Sequence, residues 1–325
     1  MPNQTRANRN KPTKKKSVVK IVLSVVLFFM LILTLAGGYV AWQVWDDLQS
    51  TTDEMYEDVE GQEQHVSRET KPVVVDDGED PFSVLIMGVD QGDFGRDAQG
   101  RSDTMMLLTI NPNTEKTSIV SIPRDTYTEI IGRGFKDKIN HAYAFGGTSM
   151  AVNTVQNLLD VPVDYYVSVN MESMQQIIDA VGGITITPPL SFSHSGNSFV
   201  EGQPTHMSGS QALSYSRMRY DDPNGDYGRQ HRQRQVIEST MNSIASVDSI
   251  RNYSAILGTM SNSMKTNMSF DDMVDMFNKY RGAVSNIEQV QLSGTGKMIS
   301  GVYYEMIPDD EINRVHTHLK SELEL

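Results

Sequence analysis

Hydrophobic positions in this chain fall into one long run near the N-terminus and many short runs between residues 83 and 307. The long run, Ile21 to Ala41, carries no charge across 21 residues, and about 20 such residues cross a bilayer as a helix. It predicts a membrane span. A cleaved signal peptide would have a shorter apolar core, ~7–15 residues, followed by a cleavage site of the A-x-A kind. No such site follows here, and Trp42 and Trp45 read as anchors at the membrane interface.

The short runs predict a folded region from Pro81 onward. SVLIMGV (83–89), MMLLTI (105–110) and TSIVSI (117–122) have the length and apolar content of buried strands, the last two separated by the turn-like NPNTEK. Helical spacing follows in 148–159, with Val152, Val155, Leu158 and Leu159 on one stripe. It recurs in 171–181, with Met174, Ile177, Ile178 and Val181, stopped by Gly182-Gly183. ITIT (184–187) is strand-like, 188–209 is a loop rich in Pro, Gly and Ser, and 229–246 is a long helix. IEQVQL (287–292) and GVYYEMI (301–307) close the strand set before a final helix at 308–323. Mixed elements of this kind predict one α/β domain over 81–325 with helices on both sheet faces. Residues 46–80 are acidic and polar with scant periodicity, so 42–80 reads as a stalk.

Charge gives this outline a direction. Of 325 residues, 38% are hydrophobic and 21% charged, a balance expected of a folded chain, and the net charge is −13. Residues 1–20 hold seven Lys and Arg and no acid, so the remainder carries −20, that is −13 less the tail's +7. Basic residues before the span place the tail in the cytoplasm and everything from Trp42 outside, as a single-pass protein of the cell membrane. A 20-residue tail is too short for a DNA-binding domain and the acidic remainder repels phosphate backbones, so no direct nucleic-acid partner is expected. The tail's lysines suit topology and membrane lipid contact. The absence of cysteine removes disulfides, thiol nucleophiles and cysteine-held metals, and is compatible with a Gram-positive envelope.

Candidate chemistry lies at the strand ends. If the first three strands form an up-down-up meander, the end of the first, the start of the second and the end of the third share one rim. Asp90 ends the first, Arg101 and Asp103 precede the second, and Arg124-Asp125 follows the third. Gly88, Gly92, Gly95 and Gly100 leave backbone room for a ligand there. In the long helix, Arg229, Arg232 and Gln233 continue the stripe of Val236, Ile237 and Thr240, so they face the core, where an unpaired charge is costly. Arginines so placed want an anion. Arg217 and Arg219, two apart, share a face if that segment is extended. Guanidinium forks suit phosphate, and carboxylates beside phosphate call for a hard divalent ion such as Mg²⁺. The set describes a pyrophosphate site for phosphoryl transfer.

Other signals are weaker. Asp222, Asn224 and Asp226 mimic a calcium loop, but Tyr227 and Gln233 stand where glycine and glutamate are needed, so the segment reads as a turn. Nucleotide-binding, zincin and hydrolase-elbow motifs are missing.

Together, GVD (88–90), RSDTMMLL (101–108), SIPRDTY (121–127), KINHAYAFGG (138–147), VGGI (181–184), GSQAL (209–213), RMR (217–219) and DYGRQHRQ (226–233) resemble the LytR-CpsA-Psr family of envelope proteins. GVYYEMIPDDE (301–311) fits that family's closing strand and helix. The resemblance implies a three-layer α/β/α domain with a mixed central sheet. It further implies a phosphotransferase that moves a glycopolymer, such as a teichoic acid or capsule, from a polyprenyl-pyrophosphate carrier to peptidoglycan. Carried over by motif, Asp90 and Asp103 would bind Mg²⁺, with Mn²⁺ as the alternative, and Asp90, Asp103 and Arg124 would be catalytic. Arg101, Arg124, Arg217, Arg219, Arg229 and Gln233 would hold the phosphates, Asp226 would orient arginines, and an apolar channel would take the lipid. Two other readings stand beside it. One is a sensor of envelope precursors that regulates transcription indirectly; the other is a glycan hydrolase using two carboxylates, for which five arginines are excessive.

Overall fold

The computed structural model describes residues 45–90, 100–245 and 264–325, together with 30, 34, 35, 38, 39, 42 and 43. The chain divides into two units, Met1–Asp47 and Leu48–Leu325. In the first, the described positions are helical, and Met30, Leu35, Tyr39, Trp42 and Trp45 are exposed. The membrane span expected over 21–41 is corrected here, and with it the cytoplasmic tail and the extracellular placement. Among the described residues no helix is long and apolar enough to cross a membrane. Residues 1–29 and much of 31–44 lie outside the described residues, and the helical positions that follow already include Gln43, Asp46 and Asp47.

The second unit is built on a sheet of six strands in the order β11-β6-β1-β2-β3-β12. Its elements, in chain order, start with a helix over 48–55 (α1) and the short α2 (Val66–Thr70). The strands β1 (Phe82–Val89), β2 (Ser102–Asn111) and β3 (Lys116–Ser121) come next, followed by the hairpin β4 (Tyr127–Ile130) and β5 (Phe135–Lys138). Then come α3 (His141–Leu159), β6 (Tyr165–Asn170), α4 (Met171–Ala180), and the short strands β7 (Ile184–Ile186), β8 (Phe192–His194), β9 (Asn197–Phe199) and β10 (Thr205–Met207). The chain continues through α5 (Gly209–Arg217), α6 (Gly225–Ala245), β11 (Met264–Thr266), α7 (Phe270–Lys279) and α8 (Arg281–Val284). It ends with β12 (Ile287–Gln291), β13 (Thr295–Ile299), β14 (Val302–Met306) and α9 (Asp309–Glu322).

The first three strands form the expected antiparallel meander, while β1 runs parallel to β6 and β3 parallel to β12, so the sheet is mixed. Central strands of this kind are buried on both faces, which is why they read as nearly continuous apolar runs. Successive side chains alternate faces. Leu85, Met87, Met105, Leu107 and Val120 pack against Val152, Val155 and Leu159 of α3 and Val315 and Leu319 of α9. Ile86 and Met106 point the other way, towards α4 and α6. At Gly146-Gly147 the helical path of α3 breaks, Gly147 having φ +65°, a left-handed value that glycine adopts without penalty.

Two regions depart from the sequence reading. The loop expected at 188–209 contains the β8–β9 hairpin and β10, which pairs with β7. Phe192 and Phe199 fix it by packing on Tyr215 of α5, with ring centroids 5.7 and 5.2 Å away. The stalk expected over 42–80 instead folds onto the sheet from residue 48 onward. Thr52 and Met55 are fully buried, and Arg68 makes two 2.7 Å bonds to Asp164, while the Tyr166 hydroxyl donates to the Glu57 carbonyl. Its acidic residues mark an exposed surface, and Leu48, Met55, Val59 and Val75 are its buried apolar anchors.

Candidate functional site

The meander brings distant charges together. Gly88 of β1 lies opposite Thr104 of β2, so Asp90 and Asp103 fall at one end of that pair, where Asp90 accepts the backbone N–H of Arg101. A Cβ at Gly100 would collide with the Asp90 carboxylate, so only glycine permits that contact. Arg124 leaves the end of β3 and places Nη1 3.0 Å from Asp103 Oδ1, which also accepts Asn140 Nδ2 at 3.3 Å.

The second half of the site comes from α5 and α6. A capping box, Ser208 with Gln211, starts α5, and Gly209 lies so close to the Gln175 carbonyl of α4 that a Cβ would sit 2.2 Å from it. The helix ends at Arg217, and the extended, buried Met218 (φ −59°, ψ 135°) separates Arg217 from Arg219. In the first turn of α6, Asp226 Oδ1 lies 2.8 Å from Arg229 Nη2 and 3.7 Å from Arg219 Nε. One turn on, Gln233 donates to the Thr104 hydroxyl at 2.8 Å and ties α6 to the meander.

Residues from both halves line one cavity of about 300 Å³. Its polar end holds Asp90, Asp103, Arg124, Arg217, Arg219, Arg229 and Gln233; its other end is apolar, formed by Ile86, Met106, Met174, Val236 and Ile237. The cavity is therefore amphipathic along its length. The polar end is short of negative charge. Burial, together with the like charges of Arg124 and Arg219, pushes the Arg229 guanidinium below its ordinary pKa against the pull of Asp226 and Asp103. Burial acts the same way on Arg124, but Asp103, Asp125 and Asp226 outweigh it and leave that pKa raised. The Nε atoms of both arginines are buried without a hydrogen-bond partner, an arrangement that costs free energy until an acceptor arrives. A phosphate group supplies such acceptors.

Of the residues expected from sequence, Arg101 and Asp226 do not line the cavity: the Arg101 side chain is exposed, and Asp226 stands behind Arg229. Arg232, read as a core-facing arginine in search of an anion, finds one within the chain. It is 0% exposed, pairs with Asp222, and donates to the carbonyls of Tyr215 and Met218. The pair pins the segment that carries Arg217 and Arg219. The signal for it was Gly228, where a Cβ would sit 2.0 Å from Asp222 Oδ2; a glycine inside a helix marks a close approach. The turn read at 222–226 is present, with Asn224 N–H donating to Asp222 Oδ1. Sequence reasoning passed over Thr104 and Tyr220, the latter 94% exposed at the cavity rim.

Comparison with known proteins converges on one group. The LytR_cpsA_psr family matches residues 43–321. The chain is 45% identical over 311 residues to the polyisoprenyl-teichoic acid–peptidoglycan teichoic acid transferase TagU of Enterococcus faecalis, covering 96% of this chain and 99% of that one. The crystal structure of B. subtilis TagU superposes with a TM-score of 0.62 at 46% identity, covering 76% of this chain and 98% of the other. A structure of TagT bound to LIIa-WTA gives 0.70 at 30% identity over 83% and 100%. With its mixed central sheet and its match along nearly the whole folded unit, the chain belongs to the LytR_cpsA_psr family.

Proposed function

We propose that this protein transfers a teichoic acid-type glycopolymer from a polyprenyl-pyrophosphate carrier to peptidoglycan. The observation that carries the proposal is the amphipathic cavity, with unpartnered guanidinium N–H groups of Arg124 and Arg229 at one end and an apolar wall at the other. A lipid pyrophosphate has the same polarity along its length. The names of the TagU relatives and the TagT structure with LIIa-WTA support the same substrate class.

In the reaction, an acceptor hydroxyl oxygen bonds to the phosphorus nearer the sugar while the bond from that phosphorus to the bridging oxygen breaks. Lipid phosphate leaves, and the proton of the attacking hydroxyl passes to the departing phosphate or to water. Arg124, Arg217, Arg219 and Arg229 hold the phosphate oxygens and stabilise the charge that moves to the leaving group. Asp226 keeps Arg229 and Arg219 in place. The donor set at Asp90 and Asp103 suits a hard cation, because carboxylate oxygens beside phosphate are ordinary Mg²⁺ ligands. Both contacts of Asp103, with Arg124 and Asn140, use Oδ1, which leaves Oδ2 to a cation. Mg²⁺, or Mn²⁺ in its place, would supply charge neutralisation between the carboxylates and the pyrophosphate.

The test is incubation of the full chain with a labelled lipid-pyrophosphate glycan in micelles and with peptidoglycan. Release of lipid phosphate and attachment of label to peptidoglycan are expected, both lost in Arg124→Ala and reduced by a chelator. Full activity in Arg124→Ala would overturn the site, and tight binding without release would turn the enzyme into a sensor.

A further inference from the structure

A second cavity, of about 500 Å³, lies on the outer side of the first and shares Arg219 and Tyr220 with it. Its remaining walls come from the loop after β3 (Asp125), the segment leading into α6 (Asp222 to Tyr227), and β14 (Tyr303 and Glu305). Its chemistry is opposite to that of its neighbour. Three carboxylates reach it, those of Asp125, paired with Lys138, of Asp226, paired with Arg229, and of Glu305, with Arg219 the one cationic side chain in its wall; the carboxylate of Asp222 is closed off on Arg232. Glu305 accepts the hydroxyls of Tyr227 at 2.7 Å and Tyr303 at 2.6 Å, which anchors both rings at the groove. That bond to Glu305, with burial and the nearby Asp125 and Asp226, raises the Tyr303 pKa to about 12, so the ring stays neutral at any physiological pH. Tyr303 and Tyr220 remain 43% and 94% exposed.

Exposed tyrosine rings next to carboxylate acceptors suit carbohydrate, whose apolar faces lie on aromatic rings and whose hydroxyls donate to carboxylates. The groove has Arg219 alone where the neighbouring cavity gathers four arginines to hold phosphate, so the polymer that the arginine cavity attracts finds no such grip in it. An in-line displacement also requires the attacking oxygen to enter opposite the leaving group. The apolar end draws the lipid away from Arg219 and Tyr220, and the groove opens on that side of the cavity.

We infer that the groove formed by Asp125, Asp226, Tyr220, Tyr303 and Glu305 binds an uncharged N-acetylhexosamine glycan and presents its hydroxyl across Arg219 to the donor phosphate. The glycan's role as acceptor rests on the transferase reading; its binding in the groove does not.

The probe is an uncharged β-linked N-acetylhexosamine tetrasaccharide, titrated into the full chain and followed by ligand-observed NMR. Binding is expected to weaken about tenfold, ~1.4 kcal/mol, in Tyr303→Ala and in Asn224→Trp, which fills the groove from its exposed rim. Tyr303→Phe, which keeps the ring, retains most of the affinity and so separates loss of stacking from loss of fold. Poly(glycerol phosphate) does not compete. In the transfer assay the acceptor KM rises in the two damaging variants while the donor KM moves less than twofold. No binding to the wild type, equal binding in Asn224→Trp, or competition by the polyphosphate overturns the groove. Groove-dependent glycan binding by a chain that cleaves no lipid-pyrophosphate donor overturns the transferase reading instead and leaves the glycan site standing.

Discussion

Arg229 and Arg232 lie one turn apart on the same helix, face the same core and come to opposite ends. Arg232 is sealed, with Asp222 and two carbonyls filling its donors, and no ligand reaches it. Arg229 has one carboxylate, Asp226, shared with Arg219, and keeps a buried Nε without a partner beside a cavity. A third arginine on the helix, Arg234, is buried among Ser121, Gln289 and Gln291, and burial lowers its pKa to about 10. The comparison separates two uses of buried charge. A satisfied arginine fixes the backbone, whereas a partly satisfied one beside an opening is poised for an anion.

The largest expected effect is on the sealed pair. Arg232→Met leaves Asp222 buried and uncompensated and should lower the unfolding free energy by about 3–5 kcal/mol, read as a shift in denaturant midpoint. Removing both charges, with Arg232→Met and Asp222→Leu together, should recover most of that loss. Next comes Arg229→Ala, which should reduce transfer by roughly 10²–10³-fold, ~2.7–4 kcal/mol, with an unfolding midpoint close to wild type. A stability loss as large as that of Arg232→Met would erase the distinction between them. Gly228→Ala drives a Cβ into the Asp222 carboxylate and should cost about 1–3 kcal/mol in the same unfolding measurement. Asp226→Asn should have the smallest effect, a loss of about tenfold in transfer, ~1.4 kcal/mol, because Arg229 stays in the cavity but is held less firmly.

Sequence reading reached the meander because its strands are buried on both faces and carry their charges only at the ends. Asp90, Asp103 and Arg124 were thus placed by connectivity alone. It did not find β6, whose YYVSVN mixes aromatic and polar residues, although β6 is the parallel partner of β1. Nor did it find the hairpin at 192–199, where two phenylalanines in a Ser-rich segment show no period of their own and gain meaning only against Tyr215. Arg101 and Arg232 share the limitation. Helical phase and strand ends indicate which arginines face inward or sit at the rim, but the partner that satisfies each one comes from elsewhere in the chain. The span over 21–41 rested on apolar length, the flanking tryptophans and the missing cleavage site, and among the described residues no helix is long and apolar enough to cross a membrane.

The central claim is that one cavity grips a lipid pyrophosphate by its two ends, and a crystal structure of the chain with a short-chain polyprenyl pyrophosphate tests it most directly. The expected result has phosphate oxygens within hydrogen-bond reach of the Nε atoms of Arg124 and Arg229, and the prenyl chain against Ile86, Met106 and Val236. Phosphates bound away from those two arginines, or a prenyl chain lying in solvent, would contradict it.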